Sequence, residues 1–241
     1  MDLGIRDRVA LVTAASAGLG RAAADALAAE GAHVVISARG EERLRRAEEE
    51  LAASGARVLA VAADATDSGT PARLVQAAVD HFGRLDIVVA NNGGPPAGRA
   101  LEISDEQIRA AVEGNLLTSV RLVREAVPHM RTGGWGRICC ITSYSVVQPI
   151  PTLALSNVAR TGLRAWAKTA ATDLAADGAG ITLNLACPGS HATQRMIDLG
   201  GSGPMGDPAD FGKVVAFLCS EPARFVNGAT IVVDGGATMA L

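Results

Sequence analysis

The segment Thr13-Ala-Ala-Ser-Ala-Gly18-Leu-Gly20 places small residues between a Val/Leu run and an Ala-rich run, where a phosphate could be bound. Backbone N–H groups and the positive end of a helix dipole would meet the charge, and the glycines would let backbone and pyrophosphate approach closely. A small-residue turn alone is weak evidence, because any tight strand-to-helix junction can use one. Arg39 adds weight. It follows the second apolar run, where an acid would hydrogen-bond the ribose hydroxyls of NAD, and Ser37, Ala38 and Arg39 supply no acid. A guanidinium there suits a 2′-phosphate, so NADP(H) is expected rather than NAD(H); the alternative is a solvated arginine at a helix start.

A second polar set lies further along. Ser143 and Tyr144, the chain's only tyrosine, stand after an apolar run, and His191 follows Pro188-Gly189 by two residues. An imidazole is matched to proton transfer near neutral pH, so His191 is either a general acid or base or a wall residue. Tyr144 either turns its phenol toward a substrate or packs away, since neighbours on a strand point oppositely. His33, His81 and His129 read as ordinary surface residues at element ends.

The elements that must hold these groups are legible from periodicity. Apolar runs at Val9–Thr13, His33–Ser37, Arg57–Ala62, Ile87–Ala90, Gly136–Thr142, Ile181–Ala186 and Thr230–Val233 alternate with stretches of helical period. That order predicts an α/β fold, a doubly wound (Rossmann) parallel sheet of about seven strands with helices on both faces. Ser104-Asp-Glu-Gln107 resembles a capping box opening a helix toward Met130, closed by Gly133-Gly134. Gly55, Gly178 and Gly180 end further helices. No linker or repeat divides residues 1–241, so a single domain is expected, with a short lid at about 190–208.

A net charge of -3 and pI near 5.8 leave no basic footprint for nucleic acid. No apolar run reaches eighteen residues and the first ten lack a signal-peptide pattern, so no membrane partner and a cytoplasmic location are expected. Cys139, Cys140, Cys187 and Cys219 lack metal-ligand spacing and read as buried thiols, so no metal is expected.

Gly18-Leu-Gly20, Asp64, Asn91-Asn-Gly93, Asn115, Ser143, Pro188-Gly189 and Asp234-Gly-Gly236 stand in register. On those motifs the whole chain resembles the short-chain dehydrogenase/reductase family, closest to its 3-oxoacyl-carrier-protein reductase-like branch. The resemblance implies an NADPH-dependent oxidoreductase acting on a carbonyl or activated double bond of a small-molecule or acyl-carrier-linked substrate. It assigns Thr13, Ser16, Gly18, Leu19 and Gly20 to the pyrophosphate, Arg39 to the adenosine phosphate, and Asp64 and Ala65 to adenine. Asp64 also reads as a helix cap. Asn91 and Gly93 would flank the adenosine, and Pro188, Gly189 and Thr193 the nicotinamide amide. A homo-oligomer, tetramer or dimer, is implied through helices at about 104–130 and 156–176, which carry Leu116, Leu117, Val120, Leu163 and Trp166.

Three departures stand out. Ala14 replaces the first turn glycine, adding a Cβ where a permissive backbone is needed. Ser156 and Arg160 occupy the places of the family's Tyr-x-x-x-Lys pair. Only fourteen residues separate Thr193 from Pro208, a short lid whose mouth is either open or completed by a partner. Ser156 can hydrogen-bond a substrate but is a poor acid; Arg160 can bind ribose hydroxyls but stays protonated. Ser143 remains a carbonyl-polarising donor, and Asn115 can hold a water. Two alternatives follow: a nucleotide-binding homologue without redox activity, serving as a regulatory or partner subunit, or a dehydratase or isomerase using His191 as base.

Overall fold

A computed structural model describes residues 1–201 and 203–240. Seven parallel strands form one sheet in the order β3-β2-β1-β4-β5-β6-β7. They are β1 (Val9–Thr13), β2 (His33–Ala38), β3 (Val58–Ala62), β4 (Ile87–Ala90), β5 (Gly136–Ile141), β6 (Ile181–Pro188) and β7 (Thr230–Val233). The helices are α1 (Gly18–Ala29), α2 (Glu41–Ala53), α3 (Thr70–Phe82), α4 (Asp105–Val112), α5 (Thr118–Gly133), α6 (Ala154–Ala176), α7 (Gln194–Asp198) and α8 (Pro208–Leu218).

The sheet is apolar on both faces because successive strand residues point to opposite sides. Val9 and Leu11 of β1 join the core under α3, α5 and α6, while Ala10 and Val12 join the core under α1, α2 and α8. Val120 and Leu163, which suit either an oligomer interface or the inner face of a helix covering the sheet, lie in the first of these cores, with Leu116 and Trp166 packed against it. An apolar residue on a helix covering a parallel sheet is held first by the sheet. On the other face α1 and α8 pass so closely that a methyl group on Gly212 would stand 2.2 Å from the Ala22 carbonyl oxygen.

The expected helix from residue 104 to 130 is divided. A π turn over Glu113–Leu117 separates α4 from α5 and puts one extra residue into the coil, which turns Asn115 inward, 3% exposed. The capping box is present: Ser104 Oγ accepts from Gln107 N at 3.3 Å, and Gln107 Oε1 accepts from Ser104 N at 2.8 Å. Ser104→Ala should lower stability by about 1 kcal/mol in urea denaturation. An unchanged midpoint would mean that α4 is held by its contacts with α6 alone.

After β3 the chain crosses to the far side of β1, so β1 and β4 adjoin at the topological switch point. A crevice outside the carboxyl ends of the strands is expected there. Thr13, Asn91 and Ser143 all stand at those strand ends.

Candidate active site

The turn between β1 and α1 is built for close approach. Gly18 has φ +61, and a methyl group on Gly20 would come within 2.5 Å of both the Ala14 carbonyl oxygen and Asn91 Nδ2. Ala17 stands at the N-cap of α1 in extended conformation and gives no side-chain cap, so the first N–H groups of the helix have no side-chain acceptor. An unpartnered helix start with a glycine floor fits a pyrophosphate. Ala14 sits at φ +49, in the left-handed region where an L side chain is strained. Ala14→Gly should therefore raise stability by up to about 1 kcal/mol, the strain relieved exceeding the unfolded-chain entropy glycine adds. A lower melting temperature in that variant would refute the account.

Thr13 and Asn91 close on each other. Thr13 Oγ1 donates to Asn91 O at 2.7 Å and accepts from Asn91 N at 2.9 Å, and Asn91 Nδ2 donates to Ala14 O at 3.3 Å. Both residues assigned to the cofactor thus have side chains that brace the turn. Ser16 lies in the turn before α1, Leu19 in the first turn of that helix and Gly93 in the loop after β4, and a methyl group on Gly189 would meet Asp234 Cβ at 2.6 Å. Pro188 ends β6, and Ala65 follows Asp64.

Arg39 is 78% exposed on its side chain, with Asp64 Oδ2 4.0 Å from Nη1. Asp64 also accepts at Oδ1 from Thr66 N and Thr66 Oγ1. Those two bonds hold its carboxyl below the usual range, with Arg39 adding to the effect. Asp64 caps a turn and not a helix, since α3 opens at Thr70 with Gly69 at its N-cap, and its carboxylate also faces the Arg39 guanidinium.

Ser143 follows β5, which ends one residue earlier than expected. Its backbone is extended, its Oγ accepts from Ser145 N at 3.1 Å, and the hydroxyl proton stays available to donate. Tyr144 opens a single 3₁₀ turn (Tyr144–Val146), so it does not continue the strand and the opposite-face argument lapses; its phenol makes no hydrogen bond among the described residues. Ser156, 7% exposed on α6, makes none there either.

Arg160 is not open to a ribose in the way its sequence place suggested. It is 6% exposed, and its Nη1 donates to Ile141 O and Thr142 O, both at 2.9 Å, while Nη2 reaches Asn92 Oδ1 at 3.3 Å. Asn92 is the hub that sequence reasoning missed. Its Oδ1 also accepts from Asn115 Nδ2 at 2.7 Å, and its Nδ2 reaches Thr118 Oγ1 at 3.2 Å. Asn115 donates in addition to Gly93 O at 2.6 Å. The only sequence signal for Asn92 was its place between Asn91 and Gly93. Burial pushes the Arg160 pKa down to about 10, with Arg195 lowering it and Cys187 raising it, so it remains charged at neutral pH. Burial also pushes Cys187 up to about 11.

His191 is not brought to this group. It is 5% exposed, its ring lies edge-on to Phe211 with centroids 5.2 Å apart, and Nδ1 is 3.2 Å from Gly189 O. A methyl group on Gly206 would stand 3.0 Å from Nε2. The imidazole packs the base of the lid because its backbone bridges to Gly206 and carries the ring under the turn. Among the described residues the lid is α7 with residues 199–201 and 203–207. Thr193 caps α7 with Oγ1 accepting from Met196 N at 3.3 Å, and its methyl lies 3.7 Å from where a Cβ on Gly18 would be. Thr193, at the base of the short lid, therefore reaches the turn between β1 and α1.

The family model described as Enoyl-(Acyl carrier protein) reductase matches residues 13–238. Dehydrogenase/reductase SDR family member 4 of Sus scrofa is 32% identical, over 98% of this chain and 89% of its own. The A-factor type gamma-butyrolactone 1′-reductase (1S-forming) of Streptomyces virginiae is 34% identical over 98% and 97%. Among solved structures, the L-sorbose reductase of Gluconobacter frateurii complexed with NADPH and L-sorbose superposes with a TM-score of 0.93, at 33% identity and 100% coverage of both chains. No helix among the described residues is long and apolar enough to cross a membrane, and no group of metal-ligating side chains occurs among them.

Proposed function

The chain belongs to the short-chain dehydrogenase/reductase family of oxidoreductases, and from that premise we propose that it is a cytoplasmic, homo-oligomeric, NADPH-dependent reductase of a carbonyl or an activated double bond. The observation that carries the reading is the glycine-floored, side-chain-uncapped start of α1, which follows β1 at the switch point where β1 adjoins β4. NADPH, when bound, supplies the hydride. Ser16, Gly18, Leu19 and Gly20 would hold its pyrophosphate, Arg39 its 2′-phosphate, Asp64 and Ala65 its adenine, and Pro188, Gly189 and Thr193 its amide. The Gluconobacter relative, complexed with NADPH, supports this choice.

Ser143 would donate a hydrogen bond to the substrate oxygen and polarise it. The proton would come from water through the unpartnered Ser156 hydroxyl, which takes one proton as it passes another on, because serine alone is too weak an acid to give one up. Arg160 would act by charge, stabilising the developing oxyanion from beneath β5. A small molecule or an acyl-carrier-linked thioester would be the substrate, and the family model's description supports the second.

The test is NADPH oxidation against ketones, quinones and β-ketoacyl thioesters, with NADPH and NADH titrated in parallel. At least about a tenfold preference for NADPH, roughly 1.4 kcal/mol, is expected, and Arg39→Ala should erase most of it. No turnover of any member would leave the nucleotide-binding reading without redox activity. One observation favours that second reading: the Arg160 fork already serves Ile141, Thr142 and Asn92.

A further inference from the structure

Among the described residues two arginines are buried, and they differ in one respect. Arg137, 2% exposed, has the Glu221 carboxylate 3.2 Å from Nη2. Arg160 has none within ion-pairing distance among the described residues; its three acceptors are two carbonyls and an amide oxygen. Removing a charge from water without a counter-charge is expensive, and neutral acceptors recover only part of that cost.

A second guanidinium stands over the same place. Arg195, exposed on α7 of the lid, crosses the crevice to donate from Nη2 to Pro95 O at 2.7 Å, with the same nitrogen 3.2 Å from where a Cβ on Gly94 would be. Asn92, which Arg160 holds, and Pro95, which Arg195 holds, are three residues apart in one loop. Arg195 is close enough to depress the ionisation of Arg160. Arg164, also without an acidic partner among the described residues, donates to Val146 O at 2.6 Å. Arg160 and Arg164 thus bond carbonyls that precede and follow Ser143 in the chain, and Arg195 bonds a carbonyl of the loop that holds Asn92. Arg137 meets an acid, whereas Arg160, Arg164 and Arg195 meet neutral oxygens, and of these three Arg195 is the exposed one, whose single carbonyl acceptor an anion can replace.

We propose that the substrate of this site carries a carboxylate, and that Arg195 exchanges the neutral Pro95 carbonyl for it as the lid settles over the ligand. The inference rests on the reductase reading for its site but not for its readout. A carboxylate accepts two parallel N–H bonds from one guanidinium, a geometry no single carbonyl matches. The pyrophosphate of the cofactor offers the same anionic chemistry, so the test must separate the two.

Acid and methyl-ester pairs of 2-oxo compounds, pyruvate and benzoylformate among them, are titrated calorimetrically into the protein with NADP⁺. The native chain, Arg195→Gln and Arg195→Lys are compared, and NADPH affinity is measured by fluorescence for each. The acid of at least one pair should bind ten times or more tighter than its ester in the native chain. Arg195→Gln should reduce that preference to near unity, and Arg195→Lys should retain part of it. Acids and esters bound alike in every pair would overturn the proposal. So would loss of NADPH affinity in Arg195→Gln with the acid preference intact, which would assign the guanidinium to the pyrophosphate. Acid preference without NADPH oxidation would support the anion site and defeat the reductase reading alone.

Discussion

Gly20→Ala is expected to weaken NADPH binding by at least about 100-fold, roughly 2.7 kcal/mol, while the protein remains folded. The added methyl would stand 2.5 Å from the Ala14 carbonyl oxygen and 2.5 Å from Asn91 Nδ2. The Ala14 carbonyl cannot retreat cheaply, because Ala14 is already in the left-handed region, and Asn91 Nδ2 can swing away only by giving up its bond to Ala14 O. Relief must come from the start of α1 moving outward, and those are the N–H groups that would face the pyrophosphate. A titration of cofactor fluorescence reads the affinity, and circular dichroism checks that the helices persist. Native affinity in the folded variant would mean that the nucleotide does not use this turn.

Ser143→Ala is expected to lower kcat by about 10²- to 10³-fold, the range for removing one preorganised donor from a developing oxyanion, with NADPH affinity retained. The hydroxyl is the polar side chain at the end of β5 with a proton to give, since its oxygen already accepts from Ser145 N. Tyr144→Phe is the contrasting variant. If its phenol were the replacement acid, that change would cause the larger loss; the single 3₁₀ turn leaves the geometry open to that outcome, and the ratio of the two losses decides it. Serine hydroxyls do not titrate between pH 6 and 9, and Arg160, although lowered by burial, loses its proton only near pH 10. Turnover that depends on the Arg160 charge should hold through pH 9 and fall as the pH rises through 10, where the cation is lost. A fall centred near neutrality would assign the proton to another group.

The order of the strands' hydrophobic runs, and with it the doubly wound sheet, was determined by the sequence alone. Period-two burial is a property of neighbouring residues, and a parallel sheet covered on both faces demands apolar residues at every strand position. Each run from Val9–Thr13 to Thr230–Val233 lies within two residues of the observed strand. The glycine-rich turn between β1 and α1 was legible for the same reason. It is a local arrangement of small residues, and even the strain at Ala14 follows from a missing glycine.

The polar site was decided by the tertiary structure. Arg160 meets Asn92 across 68 positions, and Arg195 meets Pro95 across 100. Such pairs form only where strand ends converge at the switch point, and no local pattern encodes which donor will find which acceptor. The π turn that turns Asn115 inward, the ring of His191 closed under Gly206 and the neutral acceptors around a buried guanidinium belong to the same class. A side chain's type limits the bonds it can make, but its burial and partners are fixed by elements distant in the chain.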